Sequence, residues 1–404
     1  MLKSSFIEHN YGDNLKIPNS IEKALLSLYS VDKISDLKSS YKDNMSQKMK
    51  MFASFDNYAN KHKEYTLYYF IVNFYKIWRP LLDLYYSGQL NENINVLEVG
   101  VGPGSATFGL IEFYKHLAIE NLNKEFNLKF TLIEKEKEFI DIFNVIFNFY
   151  SKDLPDNLKI SYICVRKLID KNFSLSSFSD EFDLIYESNM FNSNEKISKE
   201  SIDVCLNQSQ LKLKKHGSII FIEPADKKLI NSLQYIREQS TNNNLKIFSP
   251  CSCNILCNRL CMAKTFIPIS NIIPELKKFN IISNNKNFHY FEYVILRKDG
   301  LIKNILEKNL FSLSQTSSHI GENININAFI LFATKKGNVF RIKICDGSNM
   351  KEDVWVTLPI SLFHKYQITE LEINRGCIIK ISKGKINTAQ DIECNEKSKV
   401  TIRR

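Results

Sequence analysis

Three glycines at alternate positions, Gly100, Gly102 and Gly104, follow the apolar run Val96-Leu97-Glu98-Val99 and precede Ser105-Ala106-Thr107. Residues without a Cβ let a chain turn tightly and bring its amides against a ligand. A strand ahead of such a turn and a helix behind it place it at the carboxyl edge of a sheet, where open α/β folds bind nucleotides. A dinucleotide fold would carry G-x-G-x-x-G and set a pyrophosphate on the helix N-terminus. The spacing here is G-x-G-x-G, preceded by the acid Glu98. A second chemistry-bearing run holds Cys251, Cys253, Cys257 and Cys261, four thiols within eleven residues. Thiolates at this density suit zinc or an iron–sulfur cluster. The spacing is not that of two C-x-x-C knuckles, and buried packing cysteines are the alternative to a metal site.

The elements that must position these groups follow from periodicity. Residues 1–90 are expected to be helical, with apolar residues at three- and four-residue intervals over Ser20–Tyr29 and Leu67–Tyr86. From Asn95 the pattern turns to short β-rich runs separated by helical stretches, the signature of a parallel sheet with crossover helices. Strands are predicted at Asn95–Val99, Lys129–Glu134, Lys159–Val165, Phe182–Glu187, Ser218–Glu223 and Tyr290–Arg297. The expected fold class is thus α/β, a doubly wound Rossmann-like sheet over residues 91–300, with a cysteine-bearing insertion at 248–266. Beyond residue 300, short glycine-punctuated β runs at Ala328–Thr334, Asn338–Cys345, Val354–Leu358 and Gly376–Lys383 suggest a small barrel of the oligonucleotide-binding (OB-like) type over 301–404.

A chain of 404 residues exceeds the size of one core, so several domains are expected. Its net charge is +10, and residues 301–404 supply 16 basic against 10 acidic side chains, a footprint that suits a nucleic-acid partner. The opening Met-Leu-Lys-Ser-Ser-Phe-Ile-Glu-His-Asn has neither a secretory apolar stretch nor transit-peptide character, which points to a cytoplasmic location. The most apolar window, Tyr65 to Trp78, is too short to span a bilayer, and no membrane segment is expected. Its aromatics interleave with basic residues and could stack bases, but at helical spacing they read first as core.

The G-x-G-x-G loop behind Glu98 resembles the first motif of the class I S-adenosylmethionine-dependent methyltransferases. That resemblance implies that the loop Gly100, Gly102, Gly104 wraps the methionine and ribose of the cofactor, and that Glu98 suits its ammonium group. It also implies that the acid ending the second strand, Glu134 of Thr131-Leu132-Ile133-Glu134, holds the ribose hydroxyls. The order of the later strands, ending in Glu187-Ser188-Asn189 and Glu223-Pro224, agrees with that family. No Asn-Pro-Pro-Tyr run and no His/Asp pair suited to general-base work is present, so no residue is assigned a catalytic role.

The cysteine segment after the fifth strand, followed by Phe291-Glu292-Tyr293-Val294-Ile295-Leu296-Arg297, narrows the resemblance to the small-ribosomal-subunit methyltransferase-like family of mitochondria and bacteria. Some members hold a [4Fe-4S] cluster, and the resemblance assigns Cys251, Cys257 and Cys261, with Cys345 as fourth ligand. Cys253 is an extra thiol able to compete, and the Cys257 to Cys261 gap is shorter than the family's. The implied function is methyl transfer to ribosomal RNA or a ribosome precursor, with RNA or the small ribosomal subunit as partner. A non-catalytic ribosome assembly factor and a small-molecule methyltransferase are the alternatives.

Overall fold

The computed structural model describes residues 4–10, 15–29, 62–191, 199–225, 230–250, 263–272, 288–303, 312–346, 353–368 and 378–403. By compactness the chain divides into two units, Met1–Ser232 with Lys264–Phe291, and Leu233–Ala263 with Glu292–Arg404.

The first unit begins with helices α1 (Ser5–Asn10), α2 (Asn19–Ser27), α3 (His62–Asn73) and α4 (Trp78–Tyr86). The sequence suggests one continuous helix over Leu67–Tyr86, and the structure breaks it at residues 74–77. Pro80 supplies the reason. It has no N–H to give the Lys76 carbonyl, and its ring would clash there, so a helix can start near Trp78 but cannot run through. The aromatics of this region are core: Phe70, Phe74, Tyr75 and Trp78 are all buried, and the Trp78 indole N–H donates to the Gly109 carbonyl at 2.7 Å.

Strands β1 (Asn93–Val99), β2 (Phe126–Glu134), β3 (Leu158–Arg166), β4 (Phe182–Ser188) and β5 (Leu213–Pro224) alternate with helices α5 (Ser105–Glu120), α6 (Lys137–Tyr150) and α7 (Lys199–Lys212). The strands pair in parallel in the order β3-β2-β1-β4-β5, so the direction of winding reverses between β1 and β4. That reversal is the topological switch point at which such sheets bind ligands. Val96 to Val99 are all buried, as expected of a central strand covered on both faces. β3 sits at the edge, and only its first residue, Leu158, is fully buried. Every predicted strand of this sheet is present, each extended by one or more residues.

Past β5 come α8 (Ile230–Asn242), β6 (Lys246–Ser249), β7 (Ala263–Phe266) and β8 (Phe288–Arg297). Within the second unit β6 pairs antiparallel with the end of β8, Lys246 opposite Arg297 and Ile247 opposite Leu296. The short β6 and β7 lie on either side of the cysteine segment and were not anticipated. Four residues apiece are too few to leave a periodic trace.

The second unit contains β9 (Asn323–Lys336), β10 (Val339–Cys345), β11 (Val354–Pro359), helix α9 (Ile360–Lys365), β12 (Ile378–Thr388), β13 (Asp391–Glu393) and β14 (Lys399–Arg403). β12 pairs with β9, β9 with β10, β10 with β11, β11 with β13 and β13 with β12, which closes a five-stranded barrel, and β14 adds to the outside of β12. Alternation puts Ile342, Ile344, Val356, Leu358, Ile379, Ile381 and Ile386 inside. The expected doubly wound sheet and small barrel are both present.

Candidate functional site

The glycine loop is folded over the end of β2. The amides of Gly100 and Val101 donate to the Ile133 carbonyl at 2.9 and 3.1 Å, and the amide of Gly104 donates to the Val101 carbonyl at 3.0 Å. All three glycines have positive φ: +76° at Gly100, +55° at Gly102 and +91° at Gly104. Their surroundings differ. A Cβ at Gly100 would lie 2.9 Å from the Met190 sulfur, and one at Gly104 would lie 2.5 and 2.8 Å from ring carbons of Phe143. A Cβ at Gly102 would meet no protein atom within 4 Å. The middle glycine therefore borders open space while its neighbours are packed.

Glu134 ends β2 directly beneath this loop. One carboxylate oxygen accepts the Gly102 amide at 2.7 Å, and the other accepts the amides of Lys135 and Glu136 at 2.8 and 3.0 Å. Burial pushes this carboxyl above its ordinary value, opposed by the three amides. A carboxylate offers roughly four acceptor positions, so about one remains for a ligand hydroxyl. Glu134 thus fixes the loop as well as facing its open side.

Glu98 lies deeper. It is 1 % exposed, and one of its oxygens accepts hydrogen bonds from the hydroxyls of Thr107 on α5 and Tyr186 on β4, the latter at 2.9 Å. Burial, only partly countered by these two hydroxyls, pushes the carboxyl up to about 8. Sequence reasoning found Glu98 but not Thr107 or Tyr186, because neither separation leaves a local motif.

The ends of β4 and β5 bring together further groups. Glu187, fully buried, accepts a hydrogen bond from the Cys205 thiol of α7 at 3.1 Å, and burial raises it to about 8. Glu223, 2 % exposed, accepts the amides of Met190 and Phe191 at 3.1 and 3.0 Å on one oxygen. Burial raises Glu223 to about 7, held down by those amides and by Lys76. Asn189 has φ +57° and its side-chain oxygen accepts a hydrogen bond from the Lys76 ammonium at 3.2 Å. In the sequence Lys76 is only a basic residue among aromatics, and its place beside Asn189 follows from the break between α3 and α4.

Of the expected metal ligands, Cys251, Cys253, Cys257 and Cys261 lie outside the described residues, while Cys345 ends β10 and is buried in the barrel core. Among the described residues, His62, Glu136 and Glu138 bring ligand atoms within 4.8 Å of one another, a grouping that exposed acids commonly make without an ion. No helix among the described residues is long and apolar enough to cross a membrane.

No protein-family model matches this chain, and no curated protein does. Solved structures do. A methyltransferase from Pyrococcus furiosus is 14 % identical, with 55 % of this chain and 82 % of that chain covered, at a TM-score of 0.31. An S-adenosylmethionine-dependent methyltransferase from Methanosarcina mazei is 11 % identical, covering 54 % of this chain and 97 % of its own, at 0.32. A TehB-like S-adenosylmethionine-dependent methyltransferase from Corynebacterium glutamicum is 11 % identical, covering 64 % and 99 %, at 0.30. These low values leave the chain's own strand order and loop geometry as the physical basis for any functional reading.

Proposed function

We propose that this protein binds S-adenosylmethionine at the Gly100 to Gly104 loop and transfers its methyl group. The observation that carries the reading is the open face of Gly102 at the switch point, with its amide fixed by Glu134. The residues present fit the cofactor. A ligand without phosphates needs no cationic cradle, and the loop offers none. The remaining acceptor position on Glu134 suits a ribose hydroxyl. An ammonium group beside Glu98 would draw that buried carboxyl back to its ionised form. The cofactor supplies an electrophilic methyl on a sulfonium. The protein's part is to position a nucleophile in line with it and to exclude water, which can account for much of the acceleration. Calorimetric titration with S-adenosylmethionine tests the reading: saturable binding that the variant Gly102→Leu abolishes is expected, and a wild-type protein that takes up no cofactor would overturn it.

The finer reading is that the acceptor is RNA, in ribosomal RNA or the small ribosomal subunit. What favours it is the barrel, whose strands leave Lys335, Lys336, Lys383, Lys385 and Lys399 exposed around an apolar interior. Fixed cations of this kind bind phosphates by releasing counterions. A metal centre on Cys251, Cys257, Cys261 and Cys345, with Cys253 as a rival ligand, belongs to the same reading; the density of thiols between residues 251 and 261 supports it, and Cys345 enters through the resemblance. Iron and acid-labile sulfide in anaerobically prepared protein would support it, and their absence would remove it.

A further inference from the structure

Glu223, at the carboxyl end of β5, is a group that the cofactor reading does not use. Its second carboxylate oxygen is buried and has no hydrogen-bond partner, while the first takes two backbone amides. An unmet buried acceptor is costly unless a ligand or water supplies the missing donor. The amide that holds Glu223 belongs to Met190, whose side chain lies against Gly100 of the glycine loop. The carboxyl is therefore tied through one residue to the loop itself.

Its titratable neighbours come from the break between α3 and α4, from β4 and, one group further, from α7. Lys76 approaches from the break between α3 and α4 and is held by Asn189. Glu187 faces it from β4, on the same side of the sheet, since Glu187 pairs with Phe221 two residues before Glu223. Behind Glu187 stands the Cys205 thiol of α7. Burial lowers Lys76 to about 8, opposed by Glu223, so lysine and carboxyl titrate close to each other and to neutrality. A base poised near working pH is the most effective one.

We propose that Glu223 accepts the proton released by the methyl acceptor, with Lys76 as a positioning residue that sets the carboxylate's charge and Asn189 holding Lys76. The proposal rests on the cofactor reading above. The acceptor is accordingly a protic nucleophile, a neutral N–H or O–H group with a lone pair to give, and not a carboxylate or phosphate. In the step, the nucleophile's lone pair forms the bond to the methyl carbon, the carbon–sulfur bond breaks with its electrons left on sulfur as a neutral thioether, and the acceptor's proton passes to the free oxygen of Glu223.

A cofactor analogue tests this before any acceptor is identified. Sinefungin carries an amine where the cofactor carries its methyl, and S-adenosylhomocysteine carries nothing there, so their ratio of dissociation constants reads the environment of the transferred group. In the full-length protein, sinefungin should bind about tenfold more tightly, and the preference should grow as pH rises through about 7. Glu223→Gln should reduce the ratio to near unity and flatten its pH dependence. Lys76→Met should leave a preference but move its onset to higher pH, which a purely structural lysine would not do. If wild type and both variants bind the two ligands with the same ratio at every pH, the proposal is overturned. If wild type binds neither ligand, the cofactor reading falls and this one with it. A Glu223→Gln protein that does not fold leaves the wild-type pH dependence and Lys76→Met to decide.

Discussion

Replacing the loop glycines one at a time separates ligand space from packing space. At Gly102, φ is +55° and a new Cβ meets nothing within 4 Å, so the cost of a side chain there is backbone strain alone, about 1–2 kcal/mol for a left-handed residue. Gly102→Leu should therefore fold, at somewhat lower melting temperature, and fill the open face with four carbons. At Gly104, φ is +91° and a Cβ lies 2.5 Å from the Phe143 ring, which is itself wedged against Phe108 and Tyr162. Strain and overpacking then add, roughly 2–5 kcal/mol in all. Thermal unfolding followed by circular dichroism, with calorimetric titration of S-adenosylmethionine on whatever stays folded, measures both effects. Gly102→Leu should lose at least tenfold in affinity at modest cost in stability, whereas Gly104→Ala should show its effect in stability first. A Gly102→Leu protein that is folded and binds the cofactor like wild type would refute the assignment of that space. Gly104→Ala melting with wild type would refute the packing argument.

Glu98, Glu187 and Glu223 are all raised by burial, so each contributes stability that is fully present below the unfolded value near 4.5 and is lost as pH rises through about 7 to 8. Glu98→Gln should flatten part of the resulting decline in melting temperature between about pH 5 and 8, and a curve parallel to wild type would count against the raised value. Glu120 is held down to about 2 because, despite a burial contribution that raises it, it accepts hydrogen bonds from Ser4, Ser5 and Phe6. Glu120→Ala should speed hydrogen exchange across residues 4–7 while leaving β1 to β5 protected, and unchanged exchange would show that α1 is docked by its apolar contacts instead. If RNA binds through the barrel, changing Lys383, Lys385 and Lys399 together to Gln should weaken it and lower the slope of log affinity against log salt by up to about 3. An unaltered slope in a gel-shift titration would place the RNA elsewhere.

Much of the sheet was legible because central parallel strands are apolar on both faces, and runs such as Val96 to Val99 or Ile219 to Ile222 stand out without any knowledge of their partners. The glycine loop was legible for a related reason: positive φ at three alternating positions selects one residue type, and that selection is written in the chain. The polar groups around the loop were not. Glu98 and Glu134 could be picked out by position, yet the Thr107 and Tyr186 hydroxyls that hold Glu98, and the amides that consume most of Glu134, are set by tertiary approach. The position of Lys76 was not legible either, because it depends on the break that Pro80 forces at residues 74–77 and on the tertiary approach of Asn189. Strands β6, β7 and β13 escaped because three or four residues carry too little periodicity, and β13 joins the barrel by a parallel pairing with β11 that no local turn announces.

Gly109 sits in the middle of α5, where a Cβ would come within 2.1 Å of the Phe74 carbonyl oxygen, and the Gly109 carbonyl in turn receives the Trp78 indole. The backbone of the helix that follows the glycine loop is thus in direct contact with the segment that presents Lys76. A shortened chain beginning after residue 90 would strip a buried tryptophan and its aromatic neighbours from α5 and leave an uncovered apolar flank. The segment from His62 to Tyr86 is consequently part of the fold of α5, and any useful truncation of this protein has to keep it.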